Sequence, residues 1–257
     1  MHIVVCCKAV PFAPTKFSVS DDHTRIVYES SSLVLNESDE YALDAALLLK
    51  KKTAATVTVV TLGGLSSQEI LYLSLAKGAD HAVRIDSNAS SPFEVAALLG
   101  ALAAKKGADL VLVGVQSADQ MASLVGGLLA ASRGWPFVFA ATAIEAAQAG
   151  TWVNVERELG EGRIQQLEVE LPAVLGMQTG ICPLTYAPPA RRIKARQTRI
   201  EVVNATQLGF TAESLAACRR ESIDEIMPPS TSRAARMLEG SADDMARFIL
   251  DRIKETV

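Results

Sequence analysis

The strongest constraint on the fold is an alternation that runs from residue 2 to about residue 140. Short apolar runs take turns with helix-patterned stretches. The runs at 2–7, 56–62 and 82–85 read as strands, and the apolar run bounded by Asp109 and Gly114 as a buried parallel strand. Between them, 39–52 sets Tyr41, Leu43, Ala46, Leu47 and Leu48 at helical spacing. Two more helices are predicted at 66–77, closed by Gly78, and at 92–106, and a fourth at 121–131. Such repetition, with right-handed crossovers, predicts an α/β, Rossmann-like doubly wound parallel sheet. After Trp135-Pro136 the pattern changes. Residues 137–144, 151–158 and 164–171 read as strands joined by turns, with Gly160 and Gly162 between the last two, an appended β-hairpin region. From Pro183 the chain is rich in Pro, Arg and Ser and reads as irregular up to a final helix at 242–255, with Ser241 as its N-cap. The expected organisation is a nucleotide-binding core over 1–182 and a C-terminal, partner-wrapping arm over 183–257 ending in a helix.

With 257 residues, 49% of them hydrophobic, the chain can bury one substantial core. A net charge of −4 argues against a nucleic-acid partner. The local exception is Arg191-Arg192-Ile193-Lys194-Ala195-Arg196, either a solvated charge run or a docking segment. Cys6, Cys7, Cys182 and Cys218 form no CxxC pair and no metal-ligand spacing, which suggests a reducing compartment, with the cytoplasm as the expected location. The first residues pattern as a strand, and no apolar run reaches the roughly 18 residues of a membrane span.

Motifs for chemistry are missing. There is no GxGxxG, GxxxxGK[ST], GxSxG or HExxH, and His2, His23 and His81 are scattered. Asp21-Asp22 and Asp243-Asp244 read as solvated pairs. Neither a catalytic residue nor a metal site is expected. What remains is a ligand site at strand ends. If the first and fourth strands are neighbours, Cys6 and Lys8, then Leu62-Gly63-Gly64, then Gly114 through Asp119 converge. The small residues there permit close approach to backbone, although tight turns and helix caps would use the same residues.

Four stretches carry a family resemblance. Ile3-Val4-Val5-Cys6-Cys7-Lys8-Ala9-Val10-Pro11, Leu35-Asn36-Glu37-Ser38-Asp39-Glu40-Tyr41-Ala42 and Leu75-Ala76-Lys77-Gly78-Ala79-Asp80 are three of them. The fourth is residues 109–126 followed by Gly134-Trp135-Pro136. In this order and spacing they resemble the beta subunit of electron-transfer flavoproteins, the family that includes the FixA proteins. The resemblance implies a heterodimer with an alpha subunit that holds most contacts to a redox-active FAD. It implies an electron carrier rather than an enzyme, moving electrons from partner dehydrogenases to a membrane-bound quinone oxidoreductase of the respiratory chain. It also implies a structural AMP in this chain, surrounded by Cys6, Asn36, Leu62, Gly114, Gln116, Asp119, Ser123, Leu124, Val125 and Gly126. Asn36 would pair with the adenine edge or ribose, and the amides at 123–126 would face the phosphate. Departures from the pattern are Glu37 where a proline is usual, and Met121, Ala122 and Leu124 where polar side chains are usual. Pro189 stands where the family presents an exposed docking leucine, beside Arg191 and Arg192, so those three are the candidate partner-docking residues. The rival readings are a nucleotide-binding protein of the universal-stress type and a bifurcating flavoprotein with a second FAD in this subunit.

Overall fold

The computed structural model describes residues 1–12, 17–28, 33–147, 150–228 and 237–256. In chain order its strands are β1 (His2–Cys6), β2 (Ala9–Pro11), β3 (Phe17–Val19), β4 (Ile26–Tyr28), β5 (Leu33–Leu35), β6 (Thr56–Leu62) and β7 (His81–Asp86). They continue with β8 (Leu110–Gly114), β9 (Phe137–Ala146), β10 (Trp152–Glu158), β11 (Ile164–Glu170), β12 (Ala173–Met177) and β13 (Glu201–Asn204). The helices are α1 (Glu37–Thr53), α2 (Gln68–Lys77), α3 (Pro92–Lys105), α4 (Val125–Arg133), α5 (Pro189–Ala195), α6 (Ala212–Ala216) and α7 (Ala242–Thr256). Two units result, one of Met1–Ser18 with Tyr28–Ser222, the other of Val19–Val27 with Ile223–Val257.

The first unit is built on a nine-stranded sheet in the order β11-β10-β9-β12-β8-β1-β6-β7-β13. Strands β9 through β13 along that order run parallel, and β10 and β11 close one edge as an antiparallel meander. Both faces are covered, as an unbroken apolar strand demands. Ile3 and Val5 of β1 pack with Leu43 of α1 and Ile70 and Leu71 of α2, while Val4 and Cys6 pack with Leu98 and Leu102 of α3 and Leu129 of α4. From β1 the chain builds outward through β6 and β7 on one side and through β8, β12 and β9 on the other. The order therefore reverses between β1 and β8; the doubly wound sheet is as the alternation predicts, and the condition that the first and fourth strands be neighbours is met.

Three expectations change. The fourth helix starts at Val125, not 121, and Met121 and Ser123 take left-handed φ values of 52° and 54°. Its start is set by packing: a Cβ on Gly126 would stand 2.7 Å from Val113 Cγ2 and 3.0 Å from Phe137 Cε2, so the helix begins where its backbone can touch the sheet. Second, β12 is inserted between β8 and β9, parallel to both and buried throughout. A five-residue run after a hairpin region carries no sign of which gap in a distant sheet it will fill. Third, the segment after 183 is not irregular throughout. It forms α5, β13 and α6, and β13 pairs with β7 in the register Glu201↔Val83, burying Val203. These pieces are too short to show a period in sequence, and they are held by contacts with elements far along the chain. Ion pairs brace the two helices on one face of the sheet. Lys77 of α2, buried, reaches Asp44 (2.7 Å) and Glu40 (2.6 Å) of α1.

In the second unit, the Ile226 N–H donates to the His23 carbonyl at 2.7 Å, and α7 is a strongly amphipathic helix whose Ile249, Leu250 and Ile253 are exposed. Among the described residues, no helix is long and apolar enough to cross a membrane.

Candidate functional site

At the reversal of strand order, the carboxyl ends of β1, β6 and β8 open into a cavity of about 310 Å³. Cys6 ends β1, Leu62 ends β6, and Gly114, Gln116, Asp119, Ser123, Leu124, Val125 and Gly126 follow one another from the end of β8 into α4; all nine line it. Walls absent from the expected set come from the turn before α3 (Ala89, Ser90), from α3 (Pro92, Val95, Leu99) and from β9 (Phe137, Phe139). No local sequence signal marks them, because they belong to elements brought in by the fold. Most of the wall is apolar, and the polar groups gather on the loop after β8. The first turn of α4 has no side-chain cap, so its amides remain open donors beside the cavity.

Asn36 is not part of the lining. Its Nδ2 donates to the Gln116 carbonyl (2.8 Å) and to Ser38 Oγ (3.0 Å), and its Oδ1 accepts from the Ala118 N–H (3.0 Å). The side chain holds the loop 116–118. Ser38 Oγ adds a second hydrogen bond to the Gln116 carbonyl.

Two further lining residues organise the site: Lys8, expected at the strand ends, and Asp39, which is not among the expected residues. Asp39, in the first turn of α1, accepts from the Lys8 N–H (2.8 Å) and the Gly114 N–H (2.9 Å), tying α1 to the ends of β1 and β8. Burial pushes its carboxyl up to about 7, against the pull of those amides, of Asn36 and of the Lys8 charge. Lys8 extends its Nζ to Asp119 Oδ1 (2.8 Å), Gln120 Oε1 (3.1 Å) and Ser117 Oγ (3.3 Å). Both residues stand inside the motifs quoted above, which was the available signal.

The chemistry open to this arrangement is binding. Burial raises the Cys6 thiol to about 12 and holds Cys7 well above its ordinary value, so neither is a thiolate nucleophile near neutral pH. His2 is occupied at the opposite end of the sheet, between the Lys106 carbonyl and Thr58 Oγ1. Among the described residues, no group of three or more His, Cys, Asp or Glu could hold a metal ion.

The docking candidates lie elsewhere. Pro189, Arg191 and Arg192 are exposed on α5, which rests on α2 through Ala187, Ala195 and Ala76. Arg192 Nε donates to the Ala187 carbonyl (3.1 Å) and Arg196 pairs with Glu69 (2.7 Å), so the segment is fixed on the core. Tyr186 and Ile193 project from it, 71% and 66% exposed.

Fold and cavity together define a doubly wound α/β protein with a candidate ligand cavity at its switch point. Comparison with known proteins gives it a family. The electron transfer flavoprotein domain matches residues 24–208. The chain is 31% identical over 262 residues to the electron transfer flavoprotein subunit beta of Methylophilus methylotrophus, covering 99% of this chain and 98% of that one. It is 29% identical over 254 residues to the subunit beta of Bos taurus, with 96% of each covered, and 31% identical over 261 residues to the mitochondrial subunit beta of Oryza sativa subsp. indica, covering 99% and 98%. The chain belongs to the electron transfer flavoprotein family, on its beta-subunit branch, and the universal-stress alternative is set aside.

Proposed function

We propose that this chain is one half of a heterodimeric electron carrier, paired with an alpha subunit that makes most of the contacts to FAD. FAD, when bound, supplies the one- and two-electron chemistry. The chain itself turns over no substrate. Its cavity would hold AMP as a structural ligand: Val60, Leu62, Val95 and Phe137 offer an apolar bed for the base, and the Ser123 hydroxyl with the open amides at 124–126 offers donors to the phosphate. The observation that carries this reading is the convergence of nine expected lining residues on one cavity at the switch point. At about 310 Å³ the cavity is at the small end of ligand sites, which favours a mononucleotide over a second FAD.

Residues 183–257 serve, on this reading, to embrace the alpha subunit. Support comes from α7, whose amphipathic pattern leaves Ile249, Leu250 and Ile253 exposed. Pro189, Arg191 and Arg192 would meet an electron-donating dehydrogenase. The cationic surface of α5, in a chain of net charge −4, suits an acidic partner and a salt-sensitive encounter. A membrane-bound quinone oxidoreductase would take the electrons on. The cysteines Cys6, Cys7, Cys182 and Cys218 are all free, which agrees with a cytoplasmic setting.

The test is to co-express the chain with the candidate alpha subunit, denature the purified complex, and count released nucleotides by chromatography and mass spectrometry. One FAD and one AMP per pair is the expected result. Two FAD would move the protein to the bifurcating class. FAD without AMP would remove the structural-ligand reading, and no complex with flavin would overturn the carrier itself.

A further inference from the structure

Lys8 is held at both ends. Its N–H donates to Asp39 Oδ2 (2.8 Å) and its carbonyl accepts from the Asn36 N–H (3.0 Å), so the backbone is fixed. The side chain reaches the loop after β8, where the three donors of Nζ are spent on Asp119, Gln120 and Ser117. All four side chains belong to the lining. Among the described lining residues Lys8 is the one cation, set against the carboxyls of Asp39 and Asp119. The loop it holds carries Met121 and Ser123 in the left-handed region, a conformation that costs non-glycine residues free energy and persists only where neighbours impose it. The Met121 N–H is bound to the Ser117 carbonyl (2.8 Å), which links that geometry to the part of the loop Lys8 touches.

We propose that Lys8 is an exchangeable cation: the anionic group of a nucleoside monophosphate takes its ammonium from Asp119, and this exchange both selects phosphorylated over neutral nucleosides and couples occupancy to the setting of the loop 117–123. The inference rests on the AMP reading above and adds to it the residue that reads the charge. Two features favour exchange over a fixed brace. The ammonium sits on a flexible four-carbon stem with its side chain 36% exposed, so it can turn without moving the backbone. A phosphate offers it more negative charge than one carboxylate does. Asp119, once released, remains beside the phosphate and opposes it, so the carboxylate limits affinity.

The experiment uses the full-length chain in its co-purified complex, freed of endogenous nucleotide, and measures binding of adenosine and of AMP by calorimetry. The wild type is expected to prefer AMP by roughly tenfold, the scale of one charge-assisted hydrogen bond. In Lys8→Met the ratio should fall several-fold, whatever the adenosine affinity becomes, with the Ser123 hydroxyl and the amides at 124–126 keeping what preference remains. Lys8→Arg should keep the preference, and Asp119→Asn should raise it. A methyl-labelled Met121 should shift in the NMR spectrum on adding AMP to the wild type and stay in place in Lys8→Met. An unchanged ratio in Lys8→Met, or a loss that falls equally on both ligands, would overturn the proposal and leave Lys8 a brace. Failure of the wild type to bind either ligand would overturn the AMP reading itself, and with it this inference.

Discussion

At Gly114 a Cβ would stand 2.7 Å from the Asp39 amide nitrogen and still closer to Asp39 Oδ1 and Ser38 Oγ. The end of β8 and the first turn of α1 touch through backbone, and that closeness lets Asp39 accept from the Gly114 N–H. Gly114→Ala should destabilise the chain by about 1–3 kcal/mol, read as a lower urea midpoint with an unchanged slope. An unchanged midpoint would mean that α1 can retreat. Asp39 itself offers a pH signature. Its carboxyl is raised by burial to about 7, from an ordinary 3.8, so between these values the folded chain keeps a proton that the unfolded chain has lost. Its contribution to stability is full below the lower value and declines as pH rises towards 7, by up to ~1.4 kcal/mol per pH unit. Carboxyl ¹³C NMR should place the Asp39 midpoint near 7; a midpoint near 4 would show that its hydrogen bonds outweigh burial.

Between elements, the Lys77–Asp44–Glu40 cluster locks α2 to α1. The Lys77 and Asp44 side chains are each 1% exposed, Asp44 Oδ2 also accepts from the Thr185 N–H (3.0 Å), and Asp44 Oδ1 is buried without a partner. Lys77→Met would strand a carboxylate in the core, at a cost of about 3–5 kcal/mol. The double variant Lys77→Met with Asp44→Leu should recover much of that loss, because an apolar pair needs no compensation. Denaturant midpoints of the two variants decide it; equal losses would mean that the charges are not coupled. Elements also differ in how far sequence reveals them. β1 and β8 show as apolar runs and β6 as a Val- and Thr-rich run, and α1 to α3 as periodic stretches with clear ends. The start of α4 does not show, because the spacing of 121–131 is helical throughout and only the contact of Gly126 with Val113 and Phe137 sets the first turn.

For the whole molecule, the division into units carries a consequence. Both hydrophobic layers belong to the unit of Met1–Ser18 and Tyr28–Ser222. A chain ending at Ser222 should keep a cooperative thermal transition and near-native circular dichroism. Deprived of α7, it should lose the alpha subunit on size-exclusion chromatography. If the truncated chain keeps its partner, the embrace is made elsewhere, and if it fails to fold, the second unit supports the first.

By itself, the sequence determined the class of fold and where along the chain the candidate site's loop lies. Burying strands on both faces requires continuous apolar runs, and crossover helices require amphipathic spacing; these are local patterns that can be read in order. It also marked the loop from Gly114 to Gly126, since the doubly wound arrangement places ligands at strand ends. Tertiary structure alone decided which residues share that site. Phe137 and Phe139 enter from β9 and Pro92 from the start of α3, Asn36 is spent on the Gln116 carbonyl and the Ala118 amide, and β12 and β13 find their places in the sheet. Each of these depends on contacts between segments far apart in the chain, and a periodicity that holds within one segment says nothing about which distant segment will meet it.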